Sequence, residues 1–124
     1  MSFLLVFIGG GLGSTVRYGV SVLTVKLFGI QFLVGTLLVN VLGSFLMGVV
    51  FEYWAAKSGL SQHGKLFLAT GFLGGFTTFS AFSLELVLLH SKGELGQAVL
   101  YGFASVLFGV VSLYGGMFLV RLAG

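Results

Sequence analysis

Long runs of apolar residues, separated by short polar connections, divide the chain into four segments. Each run is close to the roughly 20 residues that an α-helix needs to cross the hydrocarbon core of a bilayer. The connections "KLFGIQ", "AAKSGLSQHG" and "HSKGELG" are polar and contain glycine, as turns do. The apolar positions do not alternate, which argues against a membrane β-barrel. The pattern predicts one all-α integral membrane domain, residues 1–124, with four transmembrane helices at about 3–25, 32–54, 65–90 and 95–121.

The composition supports a membrane protein and excludes several other classes. Hydrophobic residues make up 57% of the chain and charged residues 7%, whereas a soluble domain has about 25% charged residues. The thinly spread net charge of +3 is far from the basic footprint of a nucleic-acid-binding protein. The absence of cysteine excludes a disulfide framework and a thiolate metal site. The first apolar run lacks a preceding basic side chain and a small-x-small cleavage site, so we expect a retained helix.

The cationic residues are divided almost evenly between the two sides of the predicted membrane domain. With four spans, Lys57, Lys65 and Arg121 lie on one side. Lys26 and Lys92 lie on the other, together with Arg17 if it is counted. An excess of Lys and Arg on one side normally sets the orientation of a membrane protein. Without that excess we expect insertion in both orientations, which makes an antiparallel homodimer plausible. The alternative is that a small bias suffices for a single orientation.

The third predicted helix contains a stretch that disfavours continuous helix. The sequence "GGFTT", residues 74–78, combines two flexible glycines with two β-branched threonines. We predict a break here, near the bilayer midplane. Its freed carbonyls cannot be satisfied by lipid, so they must face protein, water or an ion. Converging carbonyls suit a hard cation. The alternative is that these glycines serve helix packing only, because Gly71 and Gly75 fit the small-xxx-small spacing.

Polar side chains in the first two helices allow both structural and functional interpretations. Thr36, Asn40 and Ser44 follow each other at steps of four and share one helix face. Asn40 either joins helices by hydrogen bonds or donates its amide to an anion on a pore wall. Arg17 either lines an anion entrance or pairs with a carbonyl or with Glu85, because an unpaired guanidinium in the membrane is costly.

Aromatic residues follow the predicted break in the third helix. Phe79 and Phe82 are three apart and therefore lie on neighbouring turns of one face. Aromatic rings have a negative face and a positive edge, so rings that present their edges to a narrow passage attract an anion without a fixed charge. The alternative is an ordinary lipid-facing or core position. The fourth helix has a similar stripe of Tyr101, Ser105, Gly109 and Ser112, which is weaker evidence because serines can bond to their own helix.

Three motifs together resemble the Fluc (CrcB) family of small fluoride channels. They are "GGGLGSTVRY" in helix 1, "GTLLVNVLGSFLMG" in helix 2 and "TGFLGGFTTFSAFSLE" in helix 3. The resemblance covers essentially the whole chain. It implies antiparallel, dual-topology homodimers with two fluoride pores and helix 3 broken near the midplane. The chain departs from the family pattern at Ala81 and Gly109, where the family often has a hydroxyl residue.

The resemblance also implies roles for individual residues. A structural sodium ion at the dimer interface would be bound by the backbone carbonyls of Gly74 and Thr77 from each chain. Arg17 and Glu85 match charged positions near the pore ends. The residues that the resemblance assigns to the fluoride pore are Asn40, Phe79, Phe82, Ser80, Ser105 and Tyr101.

The function that follows is passive export of fluoride from a microbial cytoplasm through the inner (plasma) membrane, with membrane lipid as the surrounding solvent. We expect no enzymatic activity, because no two carboxylates have a spacing that suggests acid–base catalysis. One alternative is a proton-coupled exporter of the small multidrug type, which requires a carboxylate deep in the bundle. Another is a structural subunit of a larger complex that transports nothing.

Overall fold

Four apolar helices make up nearly all of the structure, a computed structural model that describes residues 1–29, 32–57 and 59–124. The first two are α1 (Ser2–Phe28) and α2 (Phe32–Ala56), followed by the interrupted third span (Gln62–Ser91) and by the fourth span (Leu95–Ala123). All four are long and apolar enough to cross a membrane, and no strand occurs in the described ranges. The chain is therefore an all-α, multi-pass membrane protein, as the apolar pattern predicts.

The connections between the spans are short turns. Gly29, Gly59 and Gly93 have φ angles of 78°, 83° and 78°, which favour glycine over any other residue. One of these glycines lies in each of the three predicted connections. Ile30, Gln31 and Ser58, which also belong to the predicted connections, lie outside the described residues.

The third span consists of several helical segments and one interruption. It begins as α3 (Gln62–Lys65), continues as a π-helix (Leu66–Leu73) and one turn of α4 (Gly74–Phe76), and resumes after the interruption as α5 (Ser80–Ser91). The last helix is α6 (Leu95–Ala123). Residues 77–79 are not helical, and Thr77 is extended with φ −85° and ψ 159°. The interruption lies in the middle of the 30-residue span.

The position of the interruption corrects the predicted break at 74–78. Gly74 and Gly75 remain helical, and the chain leaves the helix only at Thr77. The reason is packing: a Cβ on Gly75 would collide with the backbone of Gly10 in α1. Gly75 therefore serves a close helix crossing, and the β-branched threonines, which pack poorly in a helix, form the break.

Glycines allow α1 and the π-helix to approach at backbone distance. A Cβ on Gly71 would lie 3.1 Å from the Cα of Gly9, and one on Gly13 would overlap the carbonyl of Phe72. Gly9 and Gly13 have the small-xxx-small spacing that allows such close packing. The packing alternative considered for Gly71 and Gly75 is thus also correct, alongside a real interruption next to them.

The second close crossing joins α2 to α6. A Cβ on Gly48 would overlap the carbonyl of Leu113, and a Cβ on Gly116 would overlap the carbonyl of Phe45. The two helices therefore touch through their backbones. The small buried core beside the interruption contains Val39, Leu73 and Phe76. The two crossings thus pair α1 with the interrupted span and α2 with α6, and the buried core lies between α2 and the interrupted span.

We predict that Gly116→Ala destabilises the protein. Its new methyl group has no room beside Phe45, and overpacking of this kind costs about 1–3 kcal/mol. Gly96→Ala is the matched control on the same helix, because a Cβ there meets nothing within 4 Å. Unfolding by SDS titration in mild detergent, followed by circular dichroism, measures both variants. Equal stability of the two variants would contradict the proposed backbone contact.

Candidate functional site

Asn40 of α2 is hydrogen-bonded to the backbone of the interruption. Its Oδ1 accepts from the N–H of Thr78 at 2.8 Å, and its Nδ2 donates to the carbonyl of Thr78 at 3.0 Å. The N–H of Thr78 can only donate, so the amide orientation of Asn40 is determined by chemistry. The two bonds replace the helical partners that the break removes. Asn40 therefore joins two spans, and one N–H of its amide remains for a further acceptor.

Two carbonyls at the interruption have lost their helical partners. In a continuous α-helix the N–H of Thr78 would bond to the carbonyl of Gly74, and the N–H of Ala81 to that of Thr77. Instead, the N–H of Thr78 bonds to Asn40, and that of Ala81 bonds to the Oγ1 of Thr78 at 3.2 Å. Gly74 is also exposed. These are the two carbonyls that the family resemblance implies as sodium ligands.

A third carbonyl, that of Gly75, is bonded to α1. It accepts from Nε of Arg17 at 3.1 Å and from Oγ of Ser14 at 3.4 Å. Of the roles considered for Arg17, the structure shows pairing with a carbonyl. The guanidinium also lines a cavity of about 120 Å³ whose opposite wall includes Glu85. A full positive charge therefore stabilises the end of the broken helix.

Glu85 is a buried carboxylate bonded to two hydroxyl groups. Its side chain is 5% exposed, and it accepts from Oγ1 of Thr36 at 2.5 Å and from the phenol of Tyr101 at 2.6 Å. Charge-assisted bonds of this kind are stronger than bonds between neutral groups. They fix Tyr101, and hence α6, against α2 and α5. The sequence analysis assigns no individual role to Thr36. Its position four residues before Asn40 does place it on the same polar face of α2.

Three aromatic rings form a continuous row from the surface of the chain to its interior. The ring centroids of Phe79 and Phe82 are 5.9 Å apart, and those of Phe82 and Tyr101 are 5.3 Å apart. Phe79 is 78% exposed, whereas Phe82 is 8% exposed. The rings are tilted against each other by 51° and 53°, a geometry that turns positive ring edges toward neighbouring atoms.

The predicted serines lie at both ends of this row. Oγ of Ser80 is 3.4 Å from Oγ1 of Thr78, so it adjoins the interruption. Oγ of Ser105, one turn after Tyr101 on α6, is buried and has no hydrogen-bond partner in the described structure. A buried hydroxyl without a partner is costly unless a ligand or water satisfies it. Within the described ranges, no group of three or more His, Cys, Asp or Glu side chains could hold a metal ion.

Comparison with known proteins identifies the family of this chain. Residues 4–117 match the family described as CrcB-like protein, Camphor Resistance (CrcB). The chain belongs to the CrcB family. Its relatives include "Fluoride-specific ion channel FluC 2" of Nitrobacter hamburgensis, 50% identical over 121 residues, which cover 98% of each chain. A "Fluoride-specific ion channel FluC" of Rhodopseudomonas palustris is 46% identical over 98% of each chain.

A third CrcB relative extends the similarity to another genus. The "Fluoride-specific ion channel FluC" of Granulibacter bethesdensis is 50% identical over 121 residues, which cover 98% of this chain and 95% of that protein. The match to the CrcB family includes every residue of the interruption and of the aromatic row.

We predict that Asn40→Ala loosens the interruption. The variant leaves the N–H and the carbonyl of Thr78 without their protein partner, which costs about 1–3 kcal/mol for two partly buried groups. The free energy of unfolding in detergent and the rate of amide hydrogen exchange at Thr78 measure the change. Gln97→Ala removes an exposed amide and is the matched control, with an expected effect within about 0.5 kcal/mol. Unaltered exchange at Thr78 in Asn40→Ala would disprove the role of this residue.

Proposed function

We propose that the chain is a fluoride channel that lets the anion leave the cytoplasm passively. The names of its CrcB relatives supply the ion. The observation that carries the mechanism is the row formed by Phe79, Phe82 and Tyr101, which ends beside the unbonded hydroxyl of Ser105. Such a row offers a small anion weak positive partial charges and hydroxyl donors, and no tightly binding cation.

Weak sites suit conduction. An ion must bind well enough to lose part of its water and weakly enough to leave. Arg17 would bind an anion strongly, but its Nε is already committed to the carbonyl of Gly75. Water around fluoride is then replaced by ring edges, hydroxyl groups and one amide N–H. These groups belong to Phe79, Phe82, Ser80, Ser105, Tyr101 and Asn40.

The direction of transport follows from acid–base chemistry and the membrane potential. Hydrogen fluoride is a weak acid that crosses membranes in its neutral form and dissociates in a less acidic cytoplasm. An inside-negative potential drives the trapped anion outward with about 2.3 kcal/mol per charge per 100 mV. A channel therefore removes fluoride without an energy source of its own.

We propose further that two copies form the working unit. Gly74 is exposed in the middle of its span with an unpaired carbonyl, and Phe79 is 78% exposed next to it. Lipid cannot satisfy a free carbonyl at that depth, so protein or an ion must cover it. A second copy covers both residues and gives the homodimer two equivalent aromatic rows, hence two pores. The nearly even distribution of Lys and Arg supports an antiparallel arrangement of the copies.

The same geometry supports a sodium ion between the copies. The carbonyls of Gly74 and Thr77 have lost their helical partners, and a two-fold axis at the interruption would bring together four such oxygens. Neutral oxygen ligands suit a hard cation. The ion would supply a fixed positive charge that joins the two broken helices, and the residues of the chain would orient the carbonyls toward it.

We predict that Phe79→Ala lowers fluoride efflux from proteoliposomes roughly tenfold, because it removes aromatic contacts worth about 1–1.5 kcal/mol. The ring is exposed in the single chain, so the fold of each copy should be unaltered. Phe103→Ala is the matched control, since Phe103 is 75% exposed and lies outside the row. A fluoride electrode measures efflux, with chloride efflux as a second control. Wild-type protein that releases no fluoride would refute the channel, and equal rates for both variants would refute the pore assignment.

We predict that sodium stabilises the purified protein. Protein prepared throughout in N-methyl-D-glucamine chloride should melt at a lower temperature than protein in sodium chloride of equal ionic strength. A bound ion at 100 times its dissociation constant contributes about 2.7 kcal/mol. Potassium chloride serves as the size control. The same melting temperature in all three salts would exclude a specific sodium site.

A further inference from the structure

A second cavity lies beside the interruption, on the side that faces α2 and α6. It has a volume of about 260 Å³. Its wall includes Asn40, Ser44, Thr78 and Phe79. The cavity therefore lies between the amide that is bonded to Thr78 and the exposed end of the aromatic row. None of the roles described above accounts for Ser44.

The hydroxyl of Ser44 faces a glycine of α6 and has no hydrogen-bond partner there. Ser44 lies one turn after Asn40 on the same face of α2. Across from it α6 has Gly109, where a Cβ would lie 3.6 Å from Oγ of Ser44. Since glycine has no side chain, position 109 offers the hydroxyl no hydrogen-bonding group, and the α6 residue that lines the cavity is the apolar Leu113. Among the residues that the structure describes, Ser44 Oγ has no hydrogen-bond partner, although serine in a helix commonly bonds to its own backbone.

A second unbonded hydroxyl adjoins this position. Ser105 lies one turn before Gly109 on α6, and its Oγ is buried without a partner in the described ranges. Helical spacing places Ser105 and Gly109 on the same side of α6, so the hydroxyl of Ser105 lies one turn from the position opposite Ser44. Asn40, whose amide has one N–H left over, belongs to the same cavity wall as Ser44. All three groups can donate a hydrogen bond, and a hydroxyl rotates freely to do so.

We infer that Ser44 is a fluoride-contacting residue that contributes to selectivity, an inference that rests on the proposed channel function. Fluoride is small and strongly hydrated, so it needs several donors at short range when it loses water. Chloride is larger and gains less from each donor. The hydroxyl of Ser44 extends the set of donors from Ser105, past Gly109, to Asn40 and the exposed ring of Phe79.

The experiment uses Ser44→Ala and the double variant Ser44→Ala/Gly109→Ser in proteoliposomes. Ser44→Ala should lower the initial rate of fluoride efflux about five- to tenfold, as expected for one lost hydrogen bond in the conducting path. The serine at position 109 places a hydroxyl in the same space from the opposite helix, and it should restore at least half of the wild-type rate. Ser112→Ala, which removes a hydroxyl elsewhere on α6, should conduct like wild type.

The outcomes separate this inference from the channel function. Absence of fluoride efflux in wild type would overturn the proposed function and this inference with it. Conducting wild type together with unaltered Ser44→Ala would overturn the role of Ser44 alone. A reduced rate that the double variant does not restore would assign the loss to packing and would also overturn it. We expect Ser44→Ala to melt within about one degree of wild type. For a domain of this size, that shift corresponds to a change of about 0.2 kcal/mol in the free energy of unfolding.

Discussion

The two hydrogen bonds between Asn40 and the backbone of Thr78 are the interaction on which the rest of the site depends. A helix interrupted in the middle of a membrane exposes backbone groups that lipid cannot bond. Asn40 satisfies one donor and one acceptor at the interruption, and it does so from a neighbouring span. The interruption is therefore maintained by tertiary contacts. Because Asn40 takes the N–H of Thr78, the carbonyl of Gly74 is released for another partner.

Close backbone packing on both sides keeps this arrangement in place. Gly9 and Gly71 bring α1 against the π-helix, and Gly48 and Gly116 bring α2 against α6. The first crossing places α1 where Arg17 reaches the carbonyl of Gly75. A π-helix widens the turn and shifts the register of every residue after it. The position at which the helix ends thus depends on the fit between the glycine surfaces as much as on the threonines.

The sequence predicts the spans and most of the candidate site, because both leave local signals. Continuous apolar runs identify the four helices, and a polar residue such as Asn40 is conspicuous inside one. The predicted break included Gly74, which is helical in the structure, because glycine has the same local signal whether it weakens a helix or allows close packing. The sequence predicts a carbonyl or Glu85 among the possible partners of Arg17, but neither the carbonyl of Gly75 nor the two hydroxyl partners of Glu85 could be predicted. They depend on which helix faces are in contact, and periodicity within one helix carries no information about its neighbour.

The partners of these two charged residues also explain how an anion path can operate here without a dedicated charged group. Arg17 is bonded to the end of a broken helix, and the carboxylate of Glu85 is bonded to two hydroxyls. Arg17 and Glu85 therefore both have fixed partners, and the field along the proposed path comes from ring edges, hydroxyls and amide dipoles. Such partial charges lower the cost of removing water from a small anion at several successive points. None of them alone binds the ion strongly, and a path made of many weak contacts lets the ion move on.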